Sequence, residues 1–324
     1  MLLALLTLLG GFIILVWSAD RFVDASSATA LNLGISPLVI GMTIMGFGTS
    51  APEMLVSAMA SLNGTPDIAV GNAIGSNIAN IGLVLGITAL VSPLVVHPRI
   101  FRQEVPILFG ITFLAGLLLL DNRLDALDGF LLFSGLFLVT GWLIHCHRKH
   151  PEPTDLDSLP DQTSPLSSRQ ATLWLAIGLT GMLISSKLVV WSATLIAQTL
   201  GISDLVIGLT IIAIGTSLPE LSASLMAIRK NEHDLALGNV LGSNLYNLLG
   251  VLPVPALLAP AVLSPHVLPR DYPIMALFTL LLIAMAYGLR KDEVKTISRL
   301  EGAILLSGFI AYMGILYIQG NSAS

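Results

Sequence analysis

The chain has 324 residues, of which 54% are hydrophobic and 11% are charged, and its formal net charge is −5. Soluble domains carry about 25% charged residues, so this composition excludes an ordinary soluble globular protein and indicates a protein that spans a membrane. The single cysteine, Cys146, excludes a framework of disulfide bonds.

Ten apolar segments follow one another along the chain, each long enough to cross a membrane as a helix. The short alternating runs typical of membrane β-strands are absent from the sequence. A helix also satisfies the backbone hydrogen bonds that lipid cannot. We therefore predict an all-α membrane protein with ten transmembrane helices. The predicted spans are roughly 2–30, 34–61, 67–92, 104–120, 125–145, 171–199, 203–228, 234–258, 271–289 and 299–319.

The chain contains an internal duplication. Gly34–Asn80 recurs 167 positions later as Gly201–Asn247, and the two copies are identical at 25 of 47 positions. Because each half holds five spans, an odd number, matching helices cross the membrane in opposite directions, as in the inverted repeats of many secondary transporters. The predicted organisation is a first five-helix repeat at 1–145 with its core at 34–82, a cytoplasmic linker at 146–170, and a second five-helix repeat at 171–324 with its core at 201–249.

The distribution of Lys and Arg predicts the orientation, since cytoplasmic loops carry an excess of both. With the N-terminus outside, eleven of these residues fall in cytoplasmic loops and two in outer loops. We therefore predict that both termini are extracytoplasmic. Arg21 and Lys187 lie inside spans. Asp20 or Asp24 can pair with Arg21, or each long side chain can extend to the interface; a role in gating is the alternative.

One acidic residue lies inside each of two matching spans, Glu53 in GTSAPE and Glu220 in GTSLPE. An ionised acid at the bilayer centre costs roughly 3 kcal/mol on insertion scales, so two acids in duplicated surroundings indicate a function. The alternative is that both are protonated, hydrogen-bonded packing residues. Ca²⁺, two Na⁺ or two H⁺ would neutralise the pair. Because two bare carboxylates are costly to carry through a closed state, the pair favours exchange over leak.

Proline occurs directly before each of these acids, at Pro52 and Pro219. Proline lacks an amide donor, so the carbonyls of Gly48 and Gly215 lose their usual helical partner. We expect an unwound backbone there, whose carbonyl oxygens suit hard cations such as Ca²⁺ or Na⁺.

Polar side chains recur every fourth residue in the third and eighth spans, which puts them on one helix face. Helix packing alone would explain a single copy, but two copies beside two GTSxPE motifs favour an oxygen-rich girdle around the acids. The residues are Asn72, Ser76 and Asn80 in GNAIGSNIAN, and Asn239, Ser243 and Asn247 in GNVLGSNLYN.

Two further groups carry weaker signals. Asp67 and Asp234 open the third and eighth spans, where we predict helix capping, with a role at the cation entry as the alternative. A cluster near the end of the fifth span resembles a metal site but adjoins basic residues, so we interpret it as a juxtamembrane basic cap. It comprises His145, Cys146, His147 and His150, beside Arg148 and Lys149.

The paired GTSxPE and GSNxxN motifs resemble the two α-repeats of the Ca²⁺/cation antiporter superfamily, and most closely its prokaryotic Na⁺/Ca²⁺ exchanger branch. The resemblance implies a sodium/calcium exchanger-like fold in a bacterial or archaeal cell (inner) membrane. In it the second, third, seventh and eighth helices surround the ion site, and the first and sixth slide. It implies Ca²⁺ and Na⁺ as transported ions and the lipid bilayer as surroundings. It implies no cofactor, nucleic acid or obligate protein partner.

The resemblance also implies the ligands. Those for Ca²⁺ are Glu53 and Glu220 with the backbone oxygens of Thr49 and Thr216. Those for Na⁺ are the same glutamates with Ser50, Ser76, Ser217 and Ser243 and the carbonyls of Gly46 and Ala213, while Asn80 and Asn247 complete the girdle. Some members carry aspartate where this chain has Asn247, so only two carboxylates serve the centre here, which leaves coupling to H⁺ or K⁺ open.

The sequence therefore predicts a secondary active antiporter that exchanges Ca²⁺ for Na⁺ by alternating access, and not an enzyme. The alternative is an H⁺/Ca²⁺ or K⁺-dependent exchanger. A cation channel is less favoured. An intramembrane hydrolase could use two acids as a dyad, but it would need no girdle of serines and asparagines.

Overall fold

The computed structural model describes residues 1–96, 104–149, 166–201, 207, 211, 213–287 and 295–322. Within these residues, eight helices are long and apolar enough to cross a membrane, and the apolar helix Glu104–Leu119 is shorter. The predicted helical membrane protein is thereby confirmed. The seventh predicted span, 203–228, falls partly outside the described residues, so the count of ten spans stays a prediction.

We label the main helices in chain order. They are α1 (Leu2–Leu33), α2 (Pro37–Leu62), α3 (Pro66–Val91), α4 (Glu104–Leu119), α5 (Ala126–Lys149), α6 (Ser168–Thr199), α7 (Leu218–Arg229), α8 (His233–Leu258), α9 (Tyr272–Tyr287) and α10 (Arg299–Ser322). A short helix, Ala213–Thr216, precedes α7, and a π-helical turn, Val267–Asp271, precedes α9.

Three of the long helices contain a π-helical turn: Gly41–Met45 in α2, Asn80–Leu85 in α3 and Asn247–Val251 in α8. A π turn widens the helix locally and shifts its hydrogen-bond ladder, and such turns occur often at functional sites. The turns in α3 and α8 begin at Asn80 and Asn247, which the duplication places at matching positions. Both asparagines therefore lie where the backbone departs from regular helix.

Two short antiparallel strand pairs join the ends of helices. Strand β1 (Leu94–Val96) pairs with β4 (Lys295–Ile297), and β2 (Arg123–Leu124) pairs with β3 (Ala261–Val262). Each pair joins the first half of the chain to the second. These strands were not predicted, because two or three residues are too few to show an alternating pattern.

Helices α1 and α6 pack closely against each other through glycines. A Cβ atom at Gly11 would lie 2.9 Å from a Val189 methyl group, and one at Gly178 would lie 2.9 Å from the Phe22 backbone nitrogen. The two contacts are equivalent under the shift of 167 positions. Small residues allow this close approach of membrane helices, which makes α1 and α6 a paired unit.

Helix α2 packs on α8 with similar closeness, and we expect Gly46→Ala to destabilise the fold by about 1–3 kcal/mol because it overpacks this contact. The new Cβ would lie 2.9 Å from the Gly242 Cα, and backbone atoms cannot rotate away. Thermal unfolding in detergent would measure the loss. Gly110→Ala is the control, since a Cβ there meets nothing within 4 Å among the described residues; equal midpoints for the two variants would contradict the packing argument.

Candidate ion-binding site

The two acidic residues lie deep in the helix bundle. The Glu53 side chain on α2 is 2% exposed, and the Glu220 side chain in the first turn of α7 is 1% exposed. The two helices that hold these acids, α2 and α7, contact each other. In each glutamate, Oε2 has no hydrogen-bond partner among the described residues. Fully satisfied packing residues would not leave these oxygens unpaired.

An asparagine holds the backbone at each acid. The Nδ2 of Asn72 donates to the carbonyl oxygen of Glu53 at 3.1 Å, and the Nδ2 of Asn239 donates to the carbonyl oxygen of Glu220 at 3.1 Å. The two bonds are equivalent under the duplication. They attach α3 to α2 and α8 to α7 at the level of the carboxylates, so the position of each acid depends on the neighbouring helix.

A further set of bonds crosses between α2 and α8. The Thr49 hydroxyl lies 3.3 Å from Asn239 Oδ1 and 3.1 Å from Ser243 Oγ. Asn239 also donates to Ser224 Oγ at 3.0 Å. Residues from the two duplicated segments therefore share one buried polar network. The sequence analysis did not predict a role for Ser224, although the duplication places a serine at the equivalent position, Ser57.

The structure brings most of the predicted girdle into the interior. Several polar atoms there lack a partner within the described part of the chain, among them Ser50 Oγ, both amide atoms of Asn80 and Oδ1 of Asn247. Oxygen atoms left unpaired in a buried site can serve as cation ligands. The buried predicted side chains, besides the glutamates, are Thr49, Ser50, Ser76, Asn80, Ser217, Ser243 and Asn247.

The remaining predicted positions are backbone ligands. Gly46 lies buried against α8, Thr216 is half-buried, and Ala213 begins the short helix before α7. The structure describes nothing of the Ala213 side chain, but its predicted role concerns only the carbonyl.

The predicted unwinding of the backbone is present next to Pro219, but the same prediction is wrong next to Pro52. A break at Ser217 separates Ala213–Thr216 from α7, and Ser186 of α6 donates to the Gly215 carbonyl at 2.9 Å. In α2 the chain stays α-helical through Pro52, and the irregular turn lies earlier, at Gly41–Met45. The position equivalent to Ser186 is an alanine, so the sequence repeat provided no signal for this hydrogen bond.

The predicted capping by Asp67 and Asp234 is wrong. Each helix begins earlier, at Pro66 and His233, so the acids fall inside the first turn instead of at the cap. Asp67 accepts a hydrogen bond from the Ser264 backbone at 3.2 Å. In the metal-like cluster only the side chains of His145 and Cys146 are described, and no group of three potential metal ligands occurs among the described residues.

The nearest partner of the α1 aspartates was missed. Arg21 lies 4.0 Å from Asp20 and 3.9 Å from Asp24, whereas Lys230 Nζ lies 2.8 Å from Asp20 and is closer still to Asp24. Lys230 follows α7 directly, 206 residues from Asp24. Lys187 is exposed on α6.

The membrane helices and the buried, oxygen-rich interior define a multi-pass membrane transporter. The chain belongs to the sodium/calcium exchanger protein family, whose model matches residues 3–144 and 170–318. It is therefore a member of a family of antiporters for Na⁺ and Ca²⁺, and not of a family of enzymes.

Similar proteins cover nearly the whole chain. A protein of Alkalimonas amylolytica named as a candidate antiporter, CaxA, is 47% identical over 98% of this chain and 99% of its own length. Sodium/calcium exchanger MaX1 of Methanosarcina acetivorans is 30% identical over 96% of this chain and 98% of its own. A solved structure of the sodium-calcium exchanger NCX_Mj superposes with a TM-score of 0.83 at 34% identity, covering 97% of this chain and 98% of that one.

Proposed function

We propose that this chain is a secondary active antiporter that exchanges Ca²⁺ for Na⁺ across a prokaryotic plasma membrane by alternating access. The observation that carries the proposal is the pair of buried carboxylates at Glu53 and Glu220, each with one oxygen that has no partner among the described residues. When both carboxylates are ionised and no cation is bound, the pair is a buried double negative charge. One Ca²⁺ or two Na⁺ would neutralise it. The named activities of MaX1 and NCX_Mj support these two ions.

The proposed ligands are those implied by the family resemblance. Ca²⁺ is bound by Glu53 and Glu220 with the backbone oxygens of Thr49 and Thr216. Na⁺ is bound by the same glutamates with Ser50, Ser76, Ser217 and Ser243 and the carbonyls of Gly46 and Ala213, while Asn80 and Asn247 complete the polar girdle around the ions. The burial of the side chains and the predominance of oxygen donors support this assignment.

The proposed architecture has ten spans in two inverted five-helix repeats, at 1–145 and 171–324, joined by a cytoplasmic linker at 146–170. The equivalent asparagine bonds at Glu53 and Glu220 support the repeat. The close α1–α6 contact supports movement of these two helices as one body against the helices that hold the site.

Uptake of ⁴⁵Ca²⁺ into proteoliposomes loaded with Na⁺, with the pH gradient and the voltage clamped in turn, tests the proposed function. Uptake that requires internal Na⁺ and survives collapse of the pH gradient establishes Na⁺/Ca²⁺ exchange. Uptake that follows the proton gradient and ignores Na⁺ would replace it with H⁺/Ca²⁺ exchange. Uptake that needs no counter-ion on the far side would indicate a channel.

We expect Asn239→Ala to raise the half-saturating Ca²⁺ concentration by about tenfold, and Asn72→Ala by less. Asn239 is fully buried and bonds Glu220, Thr49 and Ser224, whereas Asn72 is half-buried and bonds the Glu53 carbonyl. When a buried hydrogen bond is lost, the partner group that stays behind is unsatisfied, which costs about 1–3 kcal/mol of free energy for each group. The rate of exchange as a function of Ca²⁺ concentration measures the effect, and thermal unfolding shows whether each variant is folded. Equal effects of Asn239→Ala and Asn72→Ala would contradict the prediction that Asn239 matters more.

We expect a reporter fused to the C-terminus to lie outside the cytoplasm, because the Lys and Arg distribution favours that orientation. Alkaline phosphatase fused there should be active, and a fluorescent protein that folds only in the cytoplasm should be dark. The opposite pair of signals would overturn the predicted topology of ten spans with both termini outside.

A further inference from the structure

A groove of about 600 Å³ lies between α1 and α7, and neither Glu53 nor Glu220 lines it. One wall is apolar, formed by Phe12, Ile13 and Val16, whose side chains are 44%, 71% and 47% exposed and so face the lipid. The other end is polar and contains Asp20, Arg229 and Lys230. The groove is therefore amphipathic along its length, as a bound phospholipid would require.

The aromatic residues nearby indicate the depth of the polar end. Trp17, which also lines the groove, contacts Trp174 edge-to-face with ring centroids 6.2 Å apart, and Arg21 lies 5.7 Å from the Trp174 ring. Tryptophan is enriched at the headgroup level of membranes. Phe12 lies eight residues before Asp20, about 12 Å along the helix, so the apolar wall extends from headgroup level into the hydrocarbon.

The charges at the polar end leave two groups available to a ligand. The Lys230 ammonium contacts the Asp20 carboxylate at 2.8 Å, the Asp20 carbonyl at 3.2 Å and the Asp24 carboxylate, which occupies its three donors. Arg229 is exposed and has no ion pair among the described residues. The second carboxylate oxygen of Asp20 lies 4.0 Å from Arg21 Nε, too far for a hydrogen bond.

We propose that this groove binds a membrane phospholipid with an ethanolamine headgroup. Its phosphate matches the exposed guanidinium of Arg229, since a guanidinium can bind phosphate through a planar pair of donors. Its primary ammonium has three N–H donors and matches the available carboxylate oxygen of Asp20. Its acyl chains match the wall at Phe12, Ile13 and Val16. A glycerol headgroup offers no cation to Asp20, and a choline headgroup offers no N–H donor.

Native mass spectrometry of the intact, detergent-solubilised protein tests the site. The protein is presented with equal amounts of phosphatidylethanolamine, phosphatidylglycerol and phosphatidylcholine that carry the same acyl chains. We expect preferential retention of phosphatidylethanolamine, and a loss of about tenfold in Arg229→Gln, the size expected for one charge-assisted hydrogen bond. Lys187→Gln is the control, because Lys187 is an exposed cation on α6 at the position equivalent to Asp20.

A series of headgroups with zero, one, two and three N-methyl groups tests the ammonium contact without mutation. Retention should drop most sharply at the trimethyl lipid, which has no N–H donor. Equal or stronger retention of phosphatidylglycerol, no effect of Arg229→Gln, or an equal effect of Lys187→Gln would each overturn the proposal. No ion gradient is present in this assay, so its outcome is independent of the outcome for ion exchange.

Discussion

Glu53→Gln and Glu220→Gln are each expected to lower Ca²⁺ exchange by about 100-fold or more, the scale expected when one member of a buried charge interaction is removed. Glutamine keeps the shape of the side chain and its hydrogen-bonding capacity. It removes the negative charge that balances Ca²⁺ and one of the hard oxygen ligands. Both residues are almost fully buried, so bulk water does not readily supply a replacement ligand.

Counter-ion-driven ⁴⁵Ca²⁺ uptake into proteoliposomes measures this loss, and thermal unfolding in detergent shows whether each variant is folded. Glu301→Gln is the matched control. Glu301 accepts hydrogen bonds from Ser298 in the first turn of α10, and a glutamine oxygen can accept the same bonds. Exchange retained in Glu53→Gln or Glu220→Gln would remove that residue from the ion site.

Asn247→Asp is expected to change the dependence of exchange on Na⁺ or H⁺ by about tenfold, and the selectivity for Ca²⁺ by less. The variant adds a third carboxylate at a side chain that is 1% exposed and whose Oδ1 has no partner among the described residues. In the proposed site, a third negative charge must be neutralised by a further cation or a proton, since like charges in one site oppose ionisation.

The measurement is exchange as a function of Na⁺ concentration at several pH values. Asn80→Asp places the same charge at the equivalent position of the first repeat and is expected to act in the same direction. Asn63→Asp, in the exposed turn after α2, is the control for surface charge. Unchanged Na⁺ and H⁺ dependence in Asn247→Asp would remove Asn247 from the ion-coupling site.

The helical membrane fold could be predicted from the sequence because lipid allows few solutions for the backbone. Eight of the ten segments recur as helices of spanning length, and α4 is shorter. The strand pairs β1–β4 and β2–β3 could not be predicted, because pairing between chain segments this far apart depends on where the helices place their ends. Whether the helix breaks beside a proline was also decided by the tertiary structure, since the chain breaks beside Pro219 but Pro52 lies within a continuous helix.

The sequence by itself determined the membrane class, the duplication and the paired acids, because hydropathy and a repeat at 167 positions are properties of the chain in one dimension. Only the tertiary structure decided which polar groups satisfy one another. Lys230 contacts Asp24 across 206 positions, and Thr49 contacts Asn239 across 190. Such partners are chosen by helix packing, which brings distant residues within hydrogen-bonding distance in an interior where unpaired polar groups are costly.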